Sequence, residues 1–280
     1  MPKGLRELCE AIVLNKLVAR FLVASMLSAG AAVAGPVHDG LVAYYRGDYA
    51  EALRYWRPLA HRGDALAQYN LGIMYSQGKG VPQDFAEAVI WYRLAAEKMH
   101  AGAQLNLGVA YYKGEGVPHD FAQAAKWFRL AAEQGLAGAQ HNLGVAYAQG
   151  DGVPRDYGEA LKWFRLAAAQ GLAPAQHDLG FLYEEGDGVP QDYSEAVKWY
   201  RSAAEQGHSG GQHSLGMMYL LGKGVPEDTV LAYMWFNLSA AQGSIEAARD
   251  HRDLAARRLT LDQLAEAQRL ATAWRPASKR

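Results

Sequence analysis

The chain has almost no cysteine, since Cys9 is the single one among 280 residues. One thiol excludes an intramolecular disulfide. Charge of one sign is not in excess either: 28 Lys and Arg balance 29 Asp and Glu, for a formal net charge of −1. No global field therefore attracts nucleic acid or an acidic membrane. The H-E-x-x-H, Walker A, C-x-x-C and G-x-S-x-G motifs are also missing from the sequence. These absences predict a protein that is not an enzyme, holds no cofactor or metal, and does not bind nucleic acid.

The N-terminal segment differs in composition from the rest. Four basic residues, Lys3, Arg6, Lys16 and Arg20, precede an uncharged stretch over positions 21–37, and an A-x-A sequence ends at Ala34. This pattern predicts a cleaved secretory signal peptide, residues 1–34, and a periplasmic or secreted protein. An uncleaved anchor and an ordinary first helix are the alternatives. The 17 uncharged residues fall short of the roughly 20 that a transmembrane helix needs, so no membrane span is expected in the mature chain. Cleavage would also remove Cys9.

The chain is rich in one repeated string, Gly-x-Gly-Val-Pro-x-Asp. The string recurs every 36 residues, starting at Gly78, Gly114, Gly150, Gly186 and Gly222. A fixed period of this size is typical of stacked helical repeats. Apolar residues at helical spacing lie on both sides of each string, and they predict a helix A before it and a helix B after it. The predicted fold class is therefore all-α, a right-handed α/α superhelical solenoid of helix pairs.

Each residue type in the loop between the two helices has a physical role. Its two glycines can adopt positive φ and end helix A, while Pro82 extends the residue before it. Asp84 is a candidate N-cap of helix B, and Glu87 stands where a capping box would place it. A recurring glycine within helix A, Gly72 in the first copy, is expected to let a neighbouring helix approach closely. A tryptophan recurs in every helix B and is expected to pack between repeats rather than bind a ligand.

The repeat divides the chain into segments. Residues 35–64 form an incomplete N-terminal repeat, and residues 244–280 form a C-terminal helical cap and tail. Thr260 and Gln263 are expected to start the last helix with a capping box. Five complete repeats lie between the two ends, at residues 65–100, 101–136, 137–172, 173–208 and 209–243.

The repeat unit resembles the Sel1-like repeat, a relative of the tetratricopeptide repeat with a longer loop. The resemblance rests on Ala-x-Ala-Gln-x-x-Leu-Gly-x-x-Tyr, on the loop string, and on Ala-x-x-Trp-Tyr/Phe-Arg-x-Ala-Ala, and it covers about Tyr44 to Gly243. Members of this family act as adaptors, in protein quality control or as exported bacterial regulators and host-interaction factors. A cysteine-rich subgroup is linked to β-lactam binding, but this chain lacks the paired cysteines of that subgroup.

By similarity to tetratricopeptide repeats, helix A is expected to line a concave face that binds a partner. Three rows of helix A vary from repeat to repeat while the core positions hardly change, and selectivity is expected in these rows. Three histidines share one row, but helices pack about 8–10 Å apart and Zn–N bonds are about 2.0–2.1 Å, so a metal site is not expected. The predicted partner-binding residues are Tyr69, Ile73, Leu105, Val109, Lys113, His141, Val145, His177, Phe181, Glu185, His213 and Met217.

The sequence thus favours a monomeric, non-enzymatic adaptor that binds a protein or peptide through the concave face, in the bacterial envelope. Two alternatives remain open at this point. One is a cell-wall or β-lactam-related hydrolase, for which Ser76 and Lys79 match the S-x-x-K pattern. Position 79 varies between repeats and the S-D-N and K-T-G companions are missing from the sequence, so we interpret the match as chance. The other alternative is a structural spacer in an envelope complex.

Overall fold

A computed structural model describes residues 35–277 of the chain, and this part is built from helices without any strand. The predicted signal peptide, residues 1–34, lies outside the described residues, so its cleavage stays a prediction. The fourteen described helices are α1 (Pro36–Arg46), α2 (Tyr49–His61), α3 (Ala65–Gln77), α4 (Phe85–Ala96), α5 (Ala101–Lys113), α6 (Phe121–Glu133), α7 (Ala137–Gln149), α8 (Tyr157–Ala169), α9 (Ala173–Glu185), α10 (Tyr193–Glu205), α11 (Ser209–Leu221), α12 (Thr229–Gln242), α13 (Ala247–Ala256) and α14 (Leu261–Ala273).

The helices belong to two compact units. The first unit runs to Ala139 and includes Asp151–Val153, and the second comprises Gln140–Gly150 and continues from Pro154. Helices α1 to α6 lie in the first unit, α8 to α14 lie in the second, and α7 contributes to both. From α3 to α12, the odd-numbered helices are the predicted helices A and the even-numbered ones the predicted helices B. The tandem helix pairs within each unit confirm the predicted all-α repeat class.

A glycine inside each helix A lets it touch the aromatic ring of its own helix B. A Cβ atom at Gly72 would lie 2.5 Å from the ring of Tyr92, and one at Gly108 would lie 2.6 Å from the ring of Phe128. Carbon atoms pack at about 3.5–4.0 Å, so only glycine fits these places. The second unit repeats the contact at Gly144, Gly180 and Gly216. The predicted close approach of the two helices is confirmed.

The aspartate of the loop caps helix B, but the predicted capping box is wrong. Asp84 Oδ1 accepts a hydrogen bond from the backbone N–H of Glu87 at 3.0 Å. The backbone N–H of Asp84 donates to the carbonyl of Tyr75 at 3.0 Å, and this bond replaces the reciprocal one. The Glu87 side chain instead accepts from Trp91 Nε1 at 3.1 Å. The capping box predicted at the last helix is confirmed, with both of its bonds between residues 260 and 263 present.

The two glycines of the loop string have different structural roles. Gly78 has φ +64 and ends α3 in the left-handed conformation. Gly80, at φ +71, lies so close to the preceding helix pair that a Cβ there would be 2.7 Å from Tyr49 Cβ. In the second unit, a Cβ at Gly188 would be 2.6 Å from the backbone of Tyr157. The second glycine therefore joins each loop to the first turn of the previous helix B.

A buried glutamine near the start of helix A bonds both the preceding helix B and the end of its own repeat. Gln104 Nε2 donates to the carbonyl of Ala96 at 3.1 Å, and Gln104 Oε1 accepts from Gln134 Nε2 at 2.6 Å. In the second unit, the same glutamine pair recurs as Gln170–Gln140, Gln206–Gln176 and Gln242–Gln212. Each pair thus ties the end of helix B to the start of helix A within one repeat, while the bond to a carbonyl of the preceding helix B links successive repeats.

The first complete repeat interrupts this ladder. Lys98 stands at the position of Gln134 and donates to the carbonyl of Gly63. Gln68 Oε1 is buried and accepts no hydrogen bond from any residue that the structure describes. The next residue, Met99, adopts φ +62 at a place where the other repeats have glycine. The turn after α4 therefore departs from the repeat at two adjacent positions.

We expect Lys98→Gln to raise the free energy of unfolding by about 1 kcal/mol. The new amide can donate both to Gln68 Oε1 and to the Gly63 carbonyl, because Gln242 bonds both Gln212 and the Gly207 carbonyl in the second unit. Urea unfolding followed by circular dichroism measures the change. Lys98→Ala is the control, and it should be less stable than the parent chain. A Lys98→Gln chain no more stable than the parent would contradict the missing-donor explanation.

Candidate partner-binding site

In the first unit, the predicted rows lie along α3 and α5. Tyr69 and Ile73 are four residues apart on α3, and both are half-buried. The ring of Tyr69 stacks on His100 with centroids 4.4 Å apart. Burial raises the pKa of Tyr69 to about 12, while a hydrogen bond with Asn106 of α5 acts in the opposite direction. The neutral Tyr69 hydroxyl is therefore fixed against the next helix A.

The remaining predicted residues of the first unit are mostly apolar. Leu105 and Val109 lie half-buried on one face of α5, four residues apart. Lys113 follows on the same face, and its Nζ lies 3.8 Å from Glu115. A pair as long as this one, with a partly exposed carboxylate, contributes little stability. The first unit thus offers an apolar strip with one cation at its loop end.

In the second unit, Asp178 binds two of the predicted histidines. His141 Nε2 lies 2.8 Å from Asp178 Oδ2, and His177 Nδ1 lies 3.0 Å from Asp178 Oδ1. Burial disfavours the charged carboxylate, but the hydrogen bonds and charges of the two histidines prevail and hold the pKa of Asp178 well below its usual range. The carboxylate is thus ionised at neutral pH and accepts from both rings. It connects α7 to α9.

These bonds determine which ring nitrogen of His177 accepts. When the ring carries a single proton and Nδ1 donates it to Asp178, Nε2 is left as an acceptor. Ser214 Oγ of α11 lies 3.3 Å from this nitrogen. The polar series therefore continues from α9 to α11.

The last histidine of the row is also engaged. His213 Nε2 lies 2.8 Å from His251 Nδ1 of α13, and the two rings stack with centroids 5.0 Å apart. Four of the five residues in this row thus form a hydrogen bond with the helix two places further along the chain. The fifth residue, Leu105, has no polar atom in its side chain. Tyr69 reaches Asn106, His141 reaches Asp178, His177 reaches Ser214, and His213 reaches His251. In the second unit, the three histidines of this row form a polar floor, and its role in partner binding stays a prediction.

The next row lies above this floor and is the more exposed one. Phe181 is 48% exposed, the largest exposure among the apolar members of the predicted set. Val145 and Met217 occupy the same register on α7 and α11 and are half-buried. On α9, His177, Phe181 and Glu185 are spaced by four residues and share one face. The second unit therefore presents an exposed ring between a fixed imidazole and an exposed carboxylate.

Asp178 is the residue that sequence reasoning missed. Its register position holds asparagine at 70, 106 and 142, and serine at 214. The sequence could have indicated it, because Asp178 is the one acidic residue at this register position and directly follows a histidine. The bond to His141 spans 37 residues, and a comparison of equal positions in successive repeats does not reveal it.

Ser214, His177 and Asp178 stand in the hydrogen-bond order of a nucleophile, a base and an orienting acid. Acyl transfer also needs N–H donors aimed at the developing oxyanion. Ser214 lies inside α11, where backbone N–H groups are used by the helix itself. The S-x-x-K residues point to separate partners, since Ser76 Oγ bonds Ile73 O and Tyr92 while Lys79 Nζ bonds Tyr44 at 2.9 Å. Both arrangements fit structural roles better than nucleophilic catalysis.

No group of three or more His, Cys, Asp or Glu side chains within positions 35–277 could hold a metal ion. None of the described helices is both long enough and apolar enough to cross a bilayer.

The chain was compared with known families and structures. The Sel1 repeat model matches residues 32–64, 65–98, 101–136, 137–172, 173–208 and 209–244. A solved Sel1 repeat protein from Oxalobacter formigenes is 32% identical, with 79% of this chain and 96% of that one covered and a TM-score of 0.73. No curated protein sequence matches the chain.

Two further structures are less similar. One is c5321 from uropathogenic Escherichia coli, a protective antigen with an SLR fold (28% identity, 87% of this chain and 69% of that one, TM-score 0.42). The other is the immunity protein Pa5087 from Pseudomonas aeruginosa (22% identity, 69% and 74%, TM-score 0.46).

Proposed function

The chain belongs to the Sel1 repeat family, and from this premise we propose that it is a non-enzymatic adaptor that binds a protein or peptide segment along its A helices. The observation that carries the proposal is the exposed Phe181 above a polar floor held in place by Asp178. An apolar side chain of a partner can cover the ring, and the fixed imidazole of His177 beside it loses little freedom on binding. Pre-organised surfaces of this kind bind better because less ordering is needed.

The neighbouring side chains support the same surface. Val145 and Met217 extend the apolar row on either side of Phe181, in the same register of the adjacent A helices. Glu185 lies one turn further along α9 and is exposed. The surface therefore combines an apolar centre with a charged edge, as protein interfaces commonly do.

We expect a photo-crosslinker at position 181 to capture a partner in the native host. The control is position 166, because Leu166 is 44% exposed on α8, a helix B of the same unit. Phe181→Ala should weaken binding of the captured partner about tenfold, since an anchor residue contributes more than 1 kcal/mol, while Leu166→Ala should not. Mass spectrometry and titration of the purified partner give the two readouts. Equal capture at both positions, or full binding by Phe181→Ala, would favour a structural spacer instead.

We also propose that the protein is exported after cleavage behind Ala34 and acts as a monomer in the periplasm or outside the cell. The proposal rests on the basic leader, the short uncharged stretch and the A-x-A sequence. N-terminal sequencing of the cellular protein should start at Gly35. Recovery of the uncleaved chain from the cytosol would refute export.

A further inference from the structure

The B helices of the first unit carry two shallow depressions that belong to none of the predicted rows. The first has a volume of about 510 Å³ and is lined by Ala50, Leu53, Arg54 and Arg57 of α2 and by Gly80. The second has a volume of about 460 Å³. It is lined by Ala86, Val89, Ile90, Arg93 and Leu94 of α4, together with Gly116 and Val117.

The two depressions are copies of each other, one repeat apart. Each lies between a helix B and the loop that follows the next helix A. Gly80 packs against Tyr49 and Leu53 of α2, and Gly116 packs in the same way against the backbone of Phe85 at the start of α4. The close contact at the glycine leaves an open hollow beside it, because no side chain projects from the loop there.

The two depressions differ at one position, where Arg54 lines the first and Ile90 lines the second. Ile90 is 52% exposed, and Leu94, one turn away on the same face, is 38% exposed. The position of Ile90 is basic in the repeats before it and in the three after it: Arg54, Lys126, Lys162 and Lys198. In the last repeat the position holds Met234, which is 6% exposed and packs in the core of the second unit. Ile90 is therefore an exposed apolar side chain at a position where the other exposed residues are basic, and core packing does not explain it. Exposed apolar groups that cluster beside charged ones mark interaction surfaces.

The first depression supplies positive charge beside the apolar one. Neither the Arg54 nor the Arg57 guanidinium forms an ion pair or a hydrogen bond with another residue in the described part of the chain. Arg93 borders the second depression and donates to the Tyr111 hydroxyl at 2.8 Å, not to a carboxylate. Three arginines thus surround two exposed aliphatic side chains.

We infer that these two depressions form one docking surface for an acidic, leucine-rich segment of a protein partner. An aliphatic side chain of that segment covers Ile90 and Leu94, and a carboxylate reaches Arg54 and Arg57. Arginine suits this role because its planar group pairs carboxylates through two parallel bonds. A basic segment would be repelled, and a nucleic acid would gain nothing from the exposed isoleucine and leucine.

This surface is separate from the A-helix rows of the proposed function. An adaptor needs two contacts, and the B-helix depressions would supply the second one. The inference does not depend on what binds Phe181.

The test uses the full chain and calorimetric titration with a synthetic acetylated peptide, Glu-Glu-Leu-Leu-Glu-Glu-Leu-Leu. We expect saturable binding that weakens at least tenfold in Ile90→Lys and in Arg54→Gln. Ile90→Lys should fold normally because lysine occupies the same register in three other repeats, and circular dichroism melting verifies this. Lys162→Ala and Phe181→Ala are the controls and should bind as the parent chain does.

Four results would overturn the inference. They are no binding at a peptide concentration of about 1 mM, equal binding of a peptide with lysine in place of glutamate, unchanged binding by Ile90→Lys, and preferential binding of a single-stranded oligonucleotide. Loss of binding in Phe181→Ala alone would assign the peptide to the A-helix rows and would equally refute the B-helix site.

Discussion

Gly188→Ala is expected to lower the free energy of unfolding by about 3 kcal/mol, because a left-handed backbone and a steric overlap act together. Gly188 has φ +71, and its Cβ would lie 2.6 Å from the backbone carbonyl of Tyr157. Real Cβ atoms do not come this close to backbone, and neither segment can move without separating the loop from α8. The substitution should therefore loosen the joint between two repeats.

Gly171→Ala separates the two causes. Gly171 has φ +84, in the same unit, but a Cβ there would meet nothing within 4 Å. Only the backbone penalty applies, so we expect a loss of about 1 kcal/mol. Urea unfolding of both variants and the parent chain, monitored by circular dichroism, gives the comparison. Equal losses in the two variants would show that the loop contact contributes no stability.

Acidification from pH 7 to pH 5 is expected to reduce the stability of the second unit by about 2 kcal/mol through His208. His208 caps α11, with Nδ1 accepting from the backbone N–H of Gly211 at 3.0 Å, and it is 8% exposed. Burial, followed by the nearby charge of His177, lowers the pKa of His208 to about 3. The unfolded chain takes up a proton near pH 6.5, whereas the folded chain does not, so stability falls as the pH drops below 6.5.

His208→Asn removes the titration and keeps the cap. Asparagine accepts the same backbone bond at an N-cap and carries no charge at any pH. The variant should lose about 2 kcal/mol less than the parent chain between pH 7 and pH 5. The change cannot come from Asp178, because the stability that its lowered pKa provides is fully present above the ordinary pKa of an aspartate, about 3.9, and is lost only as the pH falls below that value. Parallel pH profiles of the parent and the variant would contradict the assignment to His208.

The sequence predicted the helix pairs, the helix A glycines and the aspartate caps, because each depends on residues close in the chain or on a strict period. Asp84 caps α4 through a bond to a residue three positions away. The capping box failed because a competing acceptor, the carbonyl of Tyr75, lies nine positions earlier, across the loop. A local sequence pattern does not show which of two possible acceptors a backbone N–H will bond.

The candidate site was less predictable for a related reason. The period places His141 and His177 in one row, but it does not reveal that Asp178 lies between them. The bond from His141 to Asp178 joins positions 37 residues apart, and the offset depends on how adjacent A helices are shifted relative to each other. The exposure of a side chain also bears on its function. Phe181 and Ile90 are large apolar side chains that are about half exposed, and their exposure depends on packing between helices, which the repeat pattern alone does not show.

The glutamine ladder bears on how such a chain can change its length. Gln206 donates to Gln176, and Gln242 donates to Gln212, with the same geometry one repeat later. Each 36-residue segment carries the acceptor at its start and the donor near its end. Each glutamine pair therefore closes within one segment, and between segments Gln176 and Gln212 donate to backbone carbonyls of the preceding helix B. A tandem duplication or an in-frame deletion of one segment leaves such a carbonyl in place, whichever residue carries it. Copy number can therefore drift during evolution without any compensating mutation at the joint.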